Sequence, residues 1–410
     1  MPPKKPAPTV RKGKPHHRSK KLEDEPKRDE DTIDDEVAPA NPASTTQRGP
    51  NSAAGTAEKP VGKSSPKEKR KEKGSRQRRS RPAGKSTKGQ TTEQPGEAKG
   101  PQRGKELSKT QLEAARSFLT EVSKLGSEGV CKEFQEEVKN FLPPQPKFDA
   151  FAANTTRNRY KDVACLDATR VVLTLNVPPE TDYIHANYVQ LEGYDTRKYI
   201  ATQAPTEATT PDFWRMVYET EATSIVMLCA VVESGIEKCA QYFPAQEGAY
   251  VNHGPMFVNN RKVWTQDELT MHTIEVIPDG CSNSVLTKLI VMHQWPDRGV
   301  PGSTMKVLRL LRSIPNGTCV IHCSAGVGRT GTAIAVDFAM FTFRKRQEKP
   351  VIKDIVKNIR TQRACAVQTE AQYLYIVTVF VDYLSVKIKD KKTQALVHQF
   401  RETIPAPNPV

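Results

Sequence analysis

The sequence predicts a mixed α/β (α+β) fold, a mixed β-sheet with helices packed on it, carried by one ordered region behind a long polar N-terminal tail. Three observations predict it. Charge and aromatic residues divide unevenly along the 410 residues: Met1–Lys105 hold 27 Lys and Arg against 14 Asp and Glu, so 13 of the chain's 15 net positive charges, and no Phe, Trp or Tyr. Downstream, several strand-like apolar runs follow one another before helical patterns take over, which argues against strict strand-helix alternation. One of those runs, "CVIH" from Cys319, feeds through a glycine-rich turn into the apolar helical pattern "GTAIAVDFAMF".

Residues 1–105 are filled with Pro, Ser, Gly, Lys and Glu and cannot bury enough apolar surface to offset the entropy of ordering, so a disordered, basic, low-complexity tail is predicted. Its densest run, "KEKRKEKGSRQRRSR" from Lys67 to Arg81, fits the import machinery of the nucleus, an anionic lipid surface or nucleic acid, and equally a solubilising linker. Without aromatic side chains to stack on bases, nucleic-acid binding there would be phosphate-driven, salt-sensitive and indifferent to sequence. The first residues, "MPPKKPAPTVRKGK", lack the apolar core of a signal peptide. No stretch approaches the roughly 18 apolar residues of a membrane span, so no transmembrane segment and a cytoplasmic or nuclear location are expected. Eight cysteines without a C-x-x-C pair fit free thiols in a reducing compartment.

Order is expected from 106 to 400, with 401–410 a loose C-terminus. "SKTQ" at Ser108 has the form of a capping box, and Leu112, Ala115, Phe118, Leu119, Val122 and Leu125 follow at helical spacing up to Gly126. A second short helix over 130–142 stops at Pro143-Pro144. Strand-like runs come next at "YIAT" (Tyr199), "SIVML" (Ser224), "LTMHTIEV" (Leu269), "SVLTKLIVMH" (Ser284) and "TCVIH" (Thr318). Helical patterns cover 211–221, 304–313, 330–343, 350–360 and 369–388, the first with Pro at its opening position.

The segment Cys323–Arg329 is therefore a strand-to-helix loop. Such a loop aims successive backbone N–H groups and a helix N-terminus at one point, an anion cradle built here by Ser324, Ala325, Gly326, Val327 and Gly328. Gly326 and Gly328 let the backbone approach an anion without a Cβ in the way. The same dipoles push a thiol at Cys323 toward thiolate, a nucleophile at neutral pH. Arg329 adds a planar guanidinium able to hold two phosphate oxygens at once, Thr330 a hydroxyl for the sulfur when it leaves, and His322 ring nitrogens to set the loop's geometry.

At "HCSAGVGRTG" the sequence resembles the protein tyrosine phosphatases, of the cysteine-based, phosphotyrosine-specific, non-receptor-like type, and the resemblance extends over about residues 110–390. It implies a strongly twisted mixed sheet flanked by helices and a phosphocysteine mechanism without metal or other cofactor. "QWPDRGVP" looks like the family's mobile loop, making Asp297 the acid that protonates the leaving oxygen, with a pKa expected to be raised by burial near anions. "VQTEAQY" matches the glutamine loop, so Gln368 and Gln372 are candidates for holding the hydrolytic water while Asp297 acts as base. In "TTRNRYKDV" Tyr160 would line the pocket and stack on the substrate ring, and Asp162 would take backbone N–H groups of a bound peptide. A deep slot of this kind favours phosphotyrosine-containing proteins as partners over phosphoserine ones. "DYIHANYV", "YIATQAP", "DFWRMVYE" and "KCAQYFP" also match; by resemblance Glu233 pairs with Arg329 and Lys238 sits beside the acid loop.

Four positions depart from the family pattern: His185 stands where Asn is usual, Ala204 where Gly is, Arg298 where His is common, and Cys365 lies at a position that shapes the pocket rim. None removes a reacting group. The rival readings are a catalytically weak pseudophosphatase that binds phosphotyrosine proteins as a recognition module, and a chain whose main business is its basic tail. A metal hydrolase is disfavoured because the eight histidines form no H-x-H or H-E-x-x-H spacing.

Overall fold

The computed structural model describes residues 106–405 apart from Pro179; the predicted tail and residues 406–410 lie outside them. Helix α1 (Lys109–Glu133) opens with the expected capping box, Ser108 and Gln111 exchanging side chain and backbone hydrogen bonds. Gly126 adopts φ 64° inside it, so the two helices read from the sequence meet at a kink and run on through a wider turn at Phe134–Val138. A short helix α2 (Asp149–Ala153) leads to strands β1 (Arg170–Val172), β2 (Tyr183–Val189) and β3 (Arg197–Thr202), then α3 (Thr210–Glu219) and β4 (Ser224–Met227). A hairpin of β5 (Val232–Glu233) and β6 (Ile236–Glu237) precedes the antiparallel run β7 (Tyr250–His253), β8 (Met256–Gln266), β9 (Leu269–Pro278) and β10 (Val285–Val291). After α4 (Thr304–Ser313) come β11 (Gly317–His322), α5 (Gly328–Phe341), α6 (Ile352–Arg360), α7 (Glu370–Lys387) and α8 (Lys391–Glu402).

Nine of the described strands form one mixed sheet in the order β1-β2-β3-β11-β4-β10-β9-β8-β7. The centre, β3-β11-β4-β10, is parallel and the flanks are antiparallel. A central parallel strand is covered on both faces, which is why Cys319, Val320 and Ile321 are apolar in succession. Cys319 and Ile321 point into the larger apolar layer, shared with α5 and α7, while Val320 points into the layer around Phe213, Trp214 and Tyr242. This packing pins the C-terminal end of β11, and with it Cys323, at the middle of the sheet.

Of the expected loose end, 401–410, the described part 401–405 is tied to the rest of the ordered region, while 406–410 lie outside the described residues. Arg401 and Glu402 close α8, Arg401 pairs with Asp382 at 2.6 Å, and Thr403 accepts a 2.8 Å bond from the Ser127 N–H just past the Gly126 kink. Helix α8 was hidden by its polarity; only Thr393, Val397 and Phe400 are buried. None of the described helices is long and apolar enough to cross a membrane.

Candidate active site

The loop between β11 and α5 is held open as a cradle from behind. Gly326 sits at φ 68°, and a Cβ there would lie 1.9 Å from the Thr202 carbonyl oxygen, so only glycine lets β3 and the loop approach. The helix begins two residues earlier than its periodicity indicated, at Gly328, which places Arg329 and Thr330 in its first turn. His322 is fully buried; its Nδ1 donates to the Cys323 carbonyl at 3.0 Å and its Nε2 pairs with the Tyr242 hydroxyl at 2.9 Å. The Ser324 hydroxyl donates to the Lys238 carbonyl at 2.9 Å, so its 2.8 Å contact with Tyr160 is a bond from the phenol to Oγ. The Ala204 N–H donates to the Ser324 carbonyl at 2.9 Å.

Arg329 is 2% exposed and grips three separate elements. Its two terminal nitrogens meet Glu233 Oε1 and Oε2 at 2.6 and 2.9 Å, and Nη1 also reaches the Leu228 and Trp295 carbonyls, each at 3.0 Å. Burial works against its charge, but the Glu233 carboxylate outweighs that and raises its pKa. Nη2 also reaches Asp297 Oδ1 at 3.0 Å, while Lys238 Nζ reaches Asp297 Oδ2 at 2.9 Å. The expectation of a raised Asp297 pKa is thus corrected. Its partial burial pushes the carboxyl pKa up, but the Lys238 hydrogen bond and the Arg329 charge together push harder, and the net shift is downward.

Cys323, Ser324, Ala325, Gly328 and Arg329 form one side of a cavity of about 100 Å³ whose other walls carry Tyr160, Asp162, Lys238, Asp297, Gln368 and Gln372. The cavity gathers candidates from five separate stretches of sequence. Gly326, Val327, His322 and Glu233 do not line it. Thr330 is fully buried, and its hydroxyl has no hydrogen-bond partner among the described residues. Gln372 also caps α7, its Oε1 accepting from the Gln368 and Thr369 N–H groups. A larger groove of about 980 Å³, around Arg197, Asp337 and Arg344, contains no cysteine and none of these residues.

Two buried arginines could not be foreseen from the sequence. Arg363 donates through Nε to the Gly326 carbonyl at 3.1 Å and through Nη2 to the Ala325 carbonyl at 3.0 Å. Because a peptide's C=O and N–H point opposite ways, this turns the N–H groups of Gly326 and Val327 away from Arg363. Arg360 likewise takes the Ala366 and Val367 carbonyls, at 2.8 and 2.9 Å. Val367 has φ 60°, a strained value for a β-branched residue, and Arg360 plus the 3.0 Å bond from Val367 N to Val327 O hold it there. The one signal in the sequence was the run "RTQRACAVQT", which sets two arginines beside the glutamine loop.

The model of the protein-tyrosine phosphatase family matches residues 154–382, more than half of the chain. The chain belongs to the protein-tyrosine phosphatase family. It is 36% identical over 288 residues to human receptor-type tyrosine-protein phosphatase epsilon, covering 65% of this chain and 39% of that protein. Mouse tyrosine-protein phosphatase non-receptor type 18 is 35% identical over 275 residues, covering 64% of this chain and 57% of the relative. Rat receptor-type tyrosine-protein phosphatase zeta is 33% identical over 319 residues, covering 73% and 13%. The chain thus spans between about an eighth and somewhat over half of these relatives' lengths. The phosphatase match contains every residue of the cavity described above.

Proposed function

We propose that this chain hydrolyses phosphotyrosine in proteins through a phosphocysteine intermediate. The observation that carries the reading is the convergence of Cys323, Arg329 and Asp297 on one small cavity in a protein-tyrosine phosphatase fold. Cys323 Sγ attacks phosphorus, the bond from phosphorus to the tyrosyl oxygen breaks, and Asp297 gives that oxygen its proton. Arg329 and the loop N–H groups follow the charge on the phosphoryl oxygens. Water held by Gln368 and Gln372 then attacks phosphorus, its proton passes to Asp297, and the S–P bond breaks with Thr330 donating to the departing sulfur. Tyr160, fixed by its bond to Ser324, supplies a wall against which a tyrosyl ring packs. A phosphoserine side chain is too short to carry its phosphate to Cys323 past such a wall. Asp162 faces the bound peptide's N–H groups from the same rim.

The test is phosphate release from a phosphotyrosine peptide and a phosphoserine peptide by the wild type, Cys323→Ser and Asp297→Ala. Activity confined to phosphotyrosine, absent in Cys323→Ser and lowered about 100-fold or more in Asp297→Ala, is expected. A folded wild type that binds the phosphotyrosine peptide without turnover identifies a recognition module instead. The basic tail belongs to this reading as a targeting segment in the cytoplasm or nucleus. Deleting residues 1–105 is expected to leave hydrolysis of a small aryl phosphate intact and to alter location.

A further inference from the structure

His185 lies on β2, is 2% exposed, and uses both ring nitrogens. Its Nε2 meets the Val163 carbonyl at 2.8 Å. A carbonyl can only accept, so Nε2 carries the proton. Its Nδ1 meets Arg363 Nη2 at 3.1 Å, and a guanidinium can only donate, so Nδ1 is the acceptor. The ring is therefore neutral. Burial first, and the Arg363 charge second, hold its pKa down to about 3.

The two partners belong to different parts of the pocket. Val163 ends the segment that carries Tyr160 and Asp162, and it lines the cavity with them. Arg363 holds the Ala325 and Gly326 carbonyls and so aims the loop's N–H groups. Two residues along β2, on the same face, Asn187 repeats the arrangement: Oδ1 accepts from Arg363 Nη1 at 2.8 Å and Nδ2 donates to the Leu166 carbonyl at 2.8 Å. No carboxylate among the described residues pairs with Arg363, which is 1% exposed. Its donors are shared among neutral acceptors, and His185 is the acceptor that also reaches the pocket wall.

We propose that His185 is a positioning residue that locks the substrate-recognition segment at Val163 to the phosphate loop through Arg363. The proposal rests on the phosphatase reading for its kinetic consequences, but not for its effect on anion binding. It predicts two separable losses. Without an acceptor at Nδ1, Arg363 turns from the loop carbonyls and the cradle loosens for any tetrahedral or trigonal oxyanion. Without a donor at Nε2, the wall slides relative to the cradle, and a peptide suffers more than a small aryl phosphate.

Two variants of the full chain separate these. His185→Phe keeps a ring packed on Phe151, which meets His185 edge-on at 5.7 Å, and removes both hydrogen bonds. His185→Asn places its amide oxygen where Nδ1 stands and so keeps the bond to Arg363, but its shorter arm stops short of the Val163 carbonyl that Nε2 reaches. Orthovanadate affinity is measured by titration calorimetry, and KM and kcat for a phosphotyrosine peptide and for a small aryl phosphate. His185→Phe is expected to weaken orthovanadate roughly tenfold, the value of one hydrogen bond to a charged group. His185→Asn is expected to recover most of that affinity while KM for the peptide stays raised relative to KM for the aryl phosphate. A folded His185→Phe that binds orthovanadate like the wild type overturns the proposal. If His185→Phe does not fold, His185→Asn decides: an unchanged ratio of the two KM values overturns it. If the wild type binds orthovanadate and the peptide but turns over neither substrate, the proposed function fails. His185 is then judged on the two binding affinities by the same criteria.

Discussion

Glu233→Gln removes a charge while keeping the shape of the side chain that holds Arg329. In the wild type the two carboxylate oxygens take Nη1 and Nη2 at 2.6 and 2.9 Å, and Oε1 also accepts from the Ala230 N–H at 3.0 Å. Glutamine keeps one acceptor and turns an NH2 group toward the other guanidinium nitrogen, where two donors face each other. One charge-assisted bond is lost at a buried site, about 1.5–3 kcal/mol. For a domain of this size that corresponds to a drop of roughly 3–8 °C in the thermal midpoint. Arg329 itself stays protonated, because arginine's ordinary pKa is far above neutral. The functional effect is therefore on aim rather than charge: kcat on a small aryl phosphate is expected to fall about 100-fold, as for one misplaced transition-state donor, with KM changing much less. Differential scanning fluorimetry and initial-rate kinetics read both effects. A midpoint and a kcat that stay within the roughly 0.5 kcal/mol scatter of an ordinary surface substitution would refute the idea that Glu233 sets the guanidinium's orientation.

Gly326→Ala is expected to cost about 3 kcal/mol or more, since the new Cβ meets backbone that cannot yield at a φ that disfavours it; a thermal midpoint equal to the wild type's contradicts this. Lys238→Met removes the hydrogen bond that holds Asp297 down, so the Asp297 pKa rises toward its ordinary value. Because the proposed acid works protonated, the alkaline limb of the kcat/KM profile, which reports the free enzyme, is expected to move to higher pH; a limb that stays or moves down excludes the role. A depressed carboxyl stabilises the fold above its unfolded pKa and loses that as pH falls through the lower folded value. The Trp295 loop is accordingly expected to detach only below about pH 4, read by tryptophan fluorescence. Mild peroxide is expected to inactivate the chain reversibly through a sulfenic acid at Cys323, with orthovanadate protecting; mass spectrometry that finds Cys323 unmodified in the inactive protein sinks this.

What was legible in the sequence was what is local. The Cys323–Arg329 loop could be read because strand, turn and helix follow one another without interruption, and α4 because its apolar face repeats cleanly over Thr304–Ser313. Strand β8 could not: its second half is largely exposed and polar, and the register slips between Asn260 and Lys262. Helix α8 did carry a start signal, since Asp390 caps the Thr393 N–H at 3.0 Å, but its few buried residues left no stripe to follow. Within the site, Glu233 and Lys238 came only from the resemblance, because nothing near them in sequence marks them. Arg363 and His185 lie 178 positions apart, and a buried arginine reads as a surface charge until its carbonyl partners are seen. The direction of the Asp297 shift was hidden for the same reason: burial could be foreseen, whereas two cations arriving from Lys238 and Arg329 are a property of the assembled fold.

The chemical sense of those two cations emerges once a substrate's own charge is added to them. The Asp297 carboxylate sits where cations converge, on the Arg329 Nη2 and Lys238 Nζ donors. A phosphate monoester bound at the loop takes Arg329 as its own partner, and Nη2, which gives one hydrogen to Glu233 and the other to Asp297, is where it competes with Asp297. Binding therefore takes one of the cations that hold the Asp297 pKa down and adds negative charge beside the carboxyl. Both changes favour its protonated form. On the proposed chemistry, Asp297 gains its proton because substrate has arrived, at the moment when an acid is needed, and is left as a carboxylate once the tyrosyl oxygen has taken that proton. The Lys238 hydrogen bond to Oδ2 limits how far the pKa can climb, so the carboxyl gives up its proton readily in the first step and stands ionised, free to take one from water, in the second.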